Sequence, residues 1–332
     1  MPDMSAGLSD HRPVLCDAVL EAAEPALNSR PDPIIVDATV GFAGHASALA
    51  SVAPPGAGIV GLDRDGETVA VARERLAALG SRARVVQGCY SELEALVPEG
   101  AAGEIDLLLL DLGVNSYQLD SPERGFGIRG DGPIDMRFDR STGPTALECL
   151  AAMDEKTLAE ALRRYGDVAH ARRVARGILA ALDAGELTST GALARAVERL
   201  IRSPRRGGLH SATTVFQALR IVTNDELGHL ERFLARAPRF LRAGGRLLII
   251  SFHSGEDRLV KHALRYWEHG PPTPRGLPAT QWQAVLRAVK RRSIPASREE
   301  SEINPRARSA RLRAAERTAI PAPATMTRLV GG

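Results

Sequence analysis

The chain has 332 residues, 44% of them apolar and 25% charged, with a net charge of +3, which is the composition of an ordinary water-soluble protein of one large or two ordinary domains. No apolar run approaches the ~18 residues of a membrane span, and MPDMSAGLSDHRPV has neither the basic start nor the apolar core of a signal peptide. Cys16, Cys89 and Cys149 are odd in number and far apart, without a CxxC pair, so a reducing cytoplasm is expected and a zinc site is not.

In chain order, His11-Arg12-Pro13 leads into a short amphipathic helix carrying Val14, Leu15, Ala18 and Val19. Ile34–Val36 is a short buried strand ending at Asp37. Gly41 and Gly44 then turn the chain into a helix starting near His45. This strand–glycine loop–helix unit is the ligand cradle of Rossmann-like sheets. The second strand, Gly58–Leu62, ends in Asp63, about 20 residues on, where an acid can accept from ribose hydroxyls. A helix over Gly66–Leu79 and a third strand over Ala83–Gln87 follow, with Tyr90 just beyond as either an adenine contact or ordinary packing.

Ile105–Leu110 is aliphatic apart from Asp106 and reads as a strand buried on both faces, stopping at Asp111. The polar, aperiodic residues after it lie where open α/β sheets place their sites. Alternating strands and helices with acidic tips at Asp37, Asp63 and Asp111 define a doubly wound α/β sheet. The loop GFAG lacks the full GxGxxG of dinucleotide folds, and Asp37 precedes it. A carboxylate there repels phosphate and suits an ammonium or sulfonium, which favours S-adenosylmethionine over NAD.

After Asp139 the pattern becomes helical. Leu158, Leu162 and Tyr165 share one face, as do Val174, Ile178 and Leu182, and then Leu193, Val197 and Leu200. Asp154 and Thr190 are expected N-caps, and Gly166 and Gly185 expected ends. Residues 140–214 read as a helical insertion in a sheet domain formed by 1–139 and 215–332. Arg163, Arg164, Arg172, Arg173, Arg176, Arg202, Arg205 and Arg206 make the insertion basic, as either a solvated face or a phosphate-contacting surface. Leu227, Leu230, Phe233, Leu234 and Leu241 form a further helical stripe. Gly244-Gly245 caps it, before a fifth strand over Arg246–Ser251. His253, Ser254, Glu256 and Asp257 follow at its carboxyl end, with Ser254 as a helix cap. After a proline-rich loop at 270–278, residues 287–317 hold ten Arg/Lys against four Glu, and Ala310–Arg317 reads equally as strand or helix.

The motifs DATVGFAGH at 37–45, GLDRD at 61–65, DLGVNSYQLDSPERGF at 111–126, DGPIDMRFD at 131–139 and SFHSGEDRLVK at 251–261 resemble the bacterial S-adenosylmethionine-dependent 16S rRNA (cytosine-N4) methyltransferases. HRPVL at 11–15, RRYGD at 163–167, FQALRI at 216–221 and NPRARSARLRAAER at 304–317 carry the likeness over almost the whole chain. The resemblance implies a class I methyltransferase sheet with an inserted helical domain, and a cofactor held by Ala43, Gly44, His45, Asp63, Tyr90, Asp111 and Gln118. It implies a cytosine in the decoding region (the P site) of 16S rRNA in the small ribosomal subunit as substrate, a cytoplasmic location and no membrane partner, with a homodimer left open. Asp111, Asn115 and Ser116 are the expected catalytic residues, Asp111 or Asn115 accepting from the amine. Tyr117, Asp135, Arg137, His253 and Asp257 are expected on the substrate side. The sequence departs from the family pattern at Ala43, Asn115, Tyr117 and Gly255, and in the stretch beginning at His210. A DNA or other RNA amino-methyltransferase, an NAD-dependent dehydrogenase and a non-catalytic RNA-binding member are the competing readings.

Overall fold

The structure is a computed structural model that describes residues 13–201, 211–272 and 281–323. His11, Arg12, Arg202, Arg205, Arg206, His210 and most of the proline-rich loop lie outside the described residues. Contacts divide the chain into two compact units, one of 1–113 with 229–332 and one of 114–228. The sequence reading put these boundaries near 140 and 214. The contacts group 114–139 and 215–228 with the helices, because both stretches pack on the helical core.

The first unit is built on one sheet. Its strands are β1 (Ile34–Asp37), β2 (Gly58–Asp63), β3 (Ala83–Gln87), β4 (Ile105–Asp111), β5 (Leu241–Ser251), β6 (Leu286–Ala288), β7 (Ile294–Pro295) and β8 (Arg311–Arg317). The order is β3-β2-β1-β4-β5-β8-β6, with β7 pairing β8. Strands β1 to β5 run parallel, and β8 is antiparallel to β5, β6 and β7. This is the doubly wound α/β sheet expected from the sequence. The register sets Asp37 beside Gly61, Asp63 beside Gln87 and Asp111 beside Ile250, so the carboxyl ends of the parallel strands form one edge. Strand β4 is buried from Ile105 to Leu110, since helices cover both faces of such a sheet.

Two expectations are corrected here, and one left open is decided. Gly244 and Gly245 do not cap a helix; they lie within β5, where the pairing steps from Ile105 with Leu241 to Leu107 with Arg246. The extra residues form a bulge, with Gly244 at φ +82°, and a Cβ on Gly245 would stand 2.7 Å from the Ile105 carbonyl oxygen. The helix predicted to end at Leu79 ends at Leu76 and gives way to a 3-10 turn over Ala77–Arg82. Ala310–Arg317 resolves as strand β8.

Asp106, the single charge within β4, is fully buried. Its carboxylate accepts from the Ile34 N–H at 2.7 Å, pairs with Arg30 at 2.6 Å and also pairs with Arg242. It therefore ties the start of β1 to β4 and β5 through one group.

In the second unit the helices Glu155–Gly166, Ala171–Asp183, Thr190–Leu200 and Ser211–Asn224 enclose a core that includes Leu158, Leu162, Val174, Ile178, Leu193, Val197, Phe216 and Leu219. These are the helical stripes read from the sequence. Asp154 caps as expected, accepting from the Thr157 N–H, whereas Ser189 rather than Thr190 caps the third helix. Replacing Asp106 with Ala strands two guanidiniums around an apolar strand. Chemical denaturation is expected to show a loss of about 3 kcal/mol, against a smaller loss for Asp106→Asn.

Candidate functional site

The carboxyl edge of the sheet gathers Asp37, Asp63 and Asp111 from β1, β2 and β4, with Tyr90 after β3 and His253 and Asp257 after β5. Asp37 is 1% exposed. Burial pushes its carboxyl up to about 7, against the opposing pull of His45, and Asp111 and Asp63 add repulsion. Asp63 is pushed up to about 6 by burial, although the amides of Asp65 and Gly41 pull the other way. Its two oxygens accept from those amides at 2.9 Å each, which fixes the glycine loop against the tip of β2.

His45 lies in the first turn of the helix Gly44–Val52, and its Nε2 is 3.6 Å from Asp111 Oδ2. Burial pushes its imidazole down, but Asp111 and Asp37 outweigh that and the net direction is upward. The buried Asp111 Oδ1 has no hydrogen-bond partner among the described residues. The Asp111 backbone is anchored by its N–H, which donates to Thr39 Oγ1 at 2.6 Å. An orphaned buried carboxylate oxygen in an acidic cluster suits a ligand with donors and positive charge.

Ala43 stands at the helix N-cap in the left-handed region, φ 61° and ψ 27°. Its methyl group is therefore held at a conformation costing about 1 kcal/mol. Tyr90 packs edge-on against Phe233, with ring centroids 5.6 Å apart. At the end of β5 the cap of the helix Ser254–His269 is His253, not Ser254. His253 Nδ1 accepts from the Glu256 N–H at 3.4 Å, while Glu256 Oε2 accepts from the N–H groups of Phe252 and His253. Asp257 forms a two-point ion pair with Arg313 of β8, at 2.7 and 3.0 Å.

The other predicted residues lie in the second unit. Asn115, Ser116, Tyr117 and Gln118 form and cap the short helix Ser116–Asp120 in a capping box. Asn115 Oδ1 accepts from the Gln118 N–H at 2.8 Å, and Gln118 Oε1 accepts from the Asn115 N–H at 3.1 Å. Asp135 and Arg137 pair at 2.7 and 3.0 Å. Burial opposes ionisation of Asp135, yet Arg137 and Arg140 hold its carboxyl below the usual range. Asn224 clamps this loop: its Nδ2 donates to the Met136 carbonyl at 2.7 Å and its Oδ1 accepts from the Phe138 N–H at 2.8 Å.

Sequence reasoning missed Thr39, Asn224 and the Cys89–Ser91–His229 group. In that group the Cys89 Sγ and the Ser91 hydroxyl lie 3.1 and 2.8 Å from His229 Nδ1. Thr39 was findable from DATVG, where it sits two residues after an acidic strand tip. The other two depend on residues far apart in the chain.

A doubly wound sheet whose strand tips are acidic and whose glycine loop follows an aspartate is the setting of a cationic nucleoside cofactor, and so of methyl transfer rather than hydride transfer. Residues 8–318 match the MraW methylase family, and the chain belongs to that family. It is 44% identical over 307 residues to the ribosomal RNA small subunit methyltransferase H of Sorangium cellulosum, covering 92% of this chain and 90% of the relative. The protein of that name from Frankia alni is 44% identical over 97% of this chain and 99% of its own length. The one from Halorhodospira halophila is 46% identical over 92% and 94%.

Two outcomes are expected from these local energetics. Ala43→Gly relieves the left-handed alanine and raises thermal stability by roughly 1 kcal/mol. For Asp37 the folded carboxyl titrates about 7, above its ordinary 3.8. The folded state therefore binds the extra proton between those values, and wild-type stability falls as pH rises through that window. Asp37→Asn is expected to be the more stable protein at pH 8, by on the order of 2 kcal/mol, and to converge on wild type only below about pH 4. Thermal melts across pH check both.

Proposed function

We propose that this chain transfers a methyl group from S-adenosylmethionine to the N4 amine of a cytosine in the decoding region (the P site) of 16S rRNA, acting on the small ribosomal subunit in the cytoplasm. The observation that carries the reading is the buried acidic edge, with the unpartnered Asp111 Oδ1 beside His45, in a chain of the methylase family. Ala43, Gly44 and His45, Asp63, Tyr90 and Asp111 would hold the cofactor, with Gln118 added from the sequence resemblance. When bound, the cofactor supplies an electrophilic methyl group on a sulfonium.

The chain's own task is to orient a weak nucleophile. The amine lone pair of cytosine is delocalised into the ring, so an acceptor for its N–H must turn that lone pair toward the methyl group. Asp111 and Asn115 are the proposed acceptors, Ser116 the support and Tyr117 the stacking surface for the extruded base. Asn115 Oδ1 already accepts the Gln118 N–H but keeps a second lone pair. Asp135, Arg137, His253 and Asp257 are proposed to hold RNA. Residues 1–139 with 215–332 are proposed as the catalytic domain, and 140–214 as the RNA-contacting insertion.

The direct test is incubation with S-adenosylmethionine and unmodified small subunits, then digestion of the RNA and mass spectrometry for N4-methylcytidine. Methylation of duplex DNA in place of the particle, or cofactor binding with no turnover on any amine, overturns the substrate assignment. Asn115→Ala is expected to slow transfer by about 10²-fold with cofactor affinity nearly unchanged. Asn115→Ser keeps a capping oxygen, so a rate as low as that of Ala in this variant assigns the loss to the amine rather than to the cap. Binding should also track the ionisation of Asp37. A cation favours the carboxylate, so affinity rises with pH up to about 7 and falls by up to about tenfold per unit below it, with proton release on binding. Calorimetry in buffers of different ionisation enthalpy reads this, and Asp37→Asn flattens the profile.

A further inference from the structure

At the opposite end of the sheet from the acidic tips lies a cleft of about 320 Å³, lined by Gly103, Arg239, Arg242, Arg317 and Thr318 among others. Asp111 is at the far end of β4 from this cleft, which puts about 20 Å of strand between them. Arg317, the last residue of β8, is only 8% exposed. Its Nε donates to the Pro238 carbonyl at 3.0 Å, and its Nη1 donates to those of Val285, Thr318 and Ile320 at 3.3, 2.7 and 2.5 Å. These carbonyls fix the guanidinium but leave its charge uncompensated. Among the described residues no carboxylate pairs with it and its Nη2 donates to none. Burial without a counter-ion pulls this guanidinium below its usual range.

The surroundings do not supply the missing charge. Arg242 is paired with Asp106, but Asp106 also serves Arg30 at 2.6 Å. Glu104 and Asp32 stand on the Arg30 side, at 3.7 and 4.0 Å from that guanidinium. Arg239 stands on the exposed rim of the same cleft. A planar fork with one free corner, fixed in a cationic cleft, matches an oxyanion in charge and geometry.

We propose that this cleft is an anion site that takes a phosphate group, separate from the methyl-transfer site and independent of the function proposed above. The phosphate group can belong to an RNA backbone or to the free anion. Arg317 is the fixed donor, and Arg242 and Arg239 supply the surrounding potential.

The test uses the full chain and inorganic phosphate at constant ionic strength, without methyl donor or ribosomal particles, so its outcome does not depend on the methyl-transfer reading. Titration calorimetry compares wild type with Arg239→Glu and with Ala319→Asp, an exposed position on the cleft wall. Saturable binding by wild type that is weakened at least about tenfold in both variants is expected, with S-adenosylmethionine affinity the same in all three. No saturable phosphate binding by wild type, or equal binding in the variants, overturns the proposal. A competition arm separates the sources. If a short single-stranded RNA expels the phosphate and is itself weakened by Ala319→Asp, the group is a backbone phosphate. If the RNA leaves the phosphate bound, the ligand is the free anion.

Discussion

Three carboxylates at the tips of adjacent parallel strands, brought together by register and with Asp37 buried among them, are the constraint on which the first unit is arranged. Asp111 and Asp63 repel the charge on Asp37, and burial penalises the charges of Asp37 and Asp63. The surrounding loop is arranged to offset this. Two loop amides serve Asp63, the Thr39 amide faces Asp37 at 3.3 Å, and His45 sits within reach of both Asp37 and Asp111. The offset is incomplete, since Asp37 and Asp63 both titrate far above their ordinary values. A fold that keeps such a cluster gives up stability to hold a cation-seeking surface, which is the usual trade at a functional site.

The other end of the same sheet shows the opposite sign. There Asp106 is buried among arginines, and Arg317 is buried among carbonyls. Parallel strands make this polarity possible, because all their carboxyl ends face one way. The eleven-residue β5 spans the sheet from one charged end to the other, its bulge at Gly244-Gly245 near Asp106 and its end at Ser251 before His253.

The sheet was legible because its strands are short apolar runs stopped by aspartates, and the insertion was legible because its stripes repeat at helical spacing. Ile34–Asp37, Ala83–Gln87 and the 154–200 helices lie within a few residues of where periodicity puts them. What periodicity could not show was set by contacts across the chain. The glycines of β5 look like a helix end in sequence; only the partner strand makes them a bulge. His253 becomes a cap because Glu256 folds back on it, a reciprocal bond that a histidine rarely makes. Asn224 holds the 135–138 loop from 86 residues away, a distance no local pattern encodes.

Within the site, the least legible feature was that one residue serves two demands. Asn115 and Gln118 were singled out for chemistry, yet their side chains satisfy each other's amides and so build the only turn of helix they stand on. Ala43 stood out in the sequence only as a departure from the family pattern, yet its backbone is left-handed and the methyl group strains it. In both places local geometry comes first. The capping box fixes where Asn115 Oδ1 points, and a residue fixed in this way would lose little freedom in the substrate-engaging role proposed for it. The same economy accounts for Asp111, whose amide is tied to Thr39 while one carboxylate oxygen is left without a partner. A backbone held on one side and an acceptor left open on the other is what the amine-orienting role proposed for Asp111 would require.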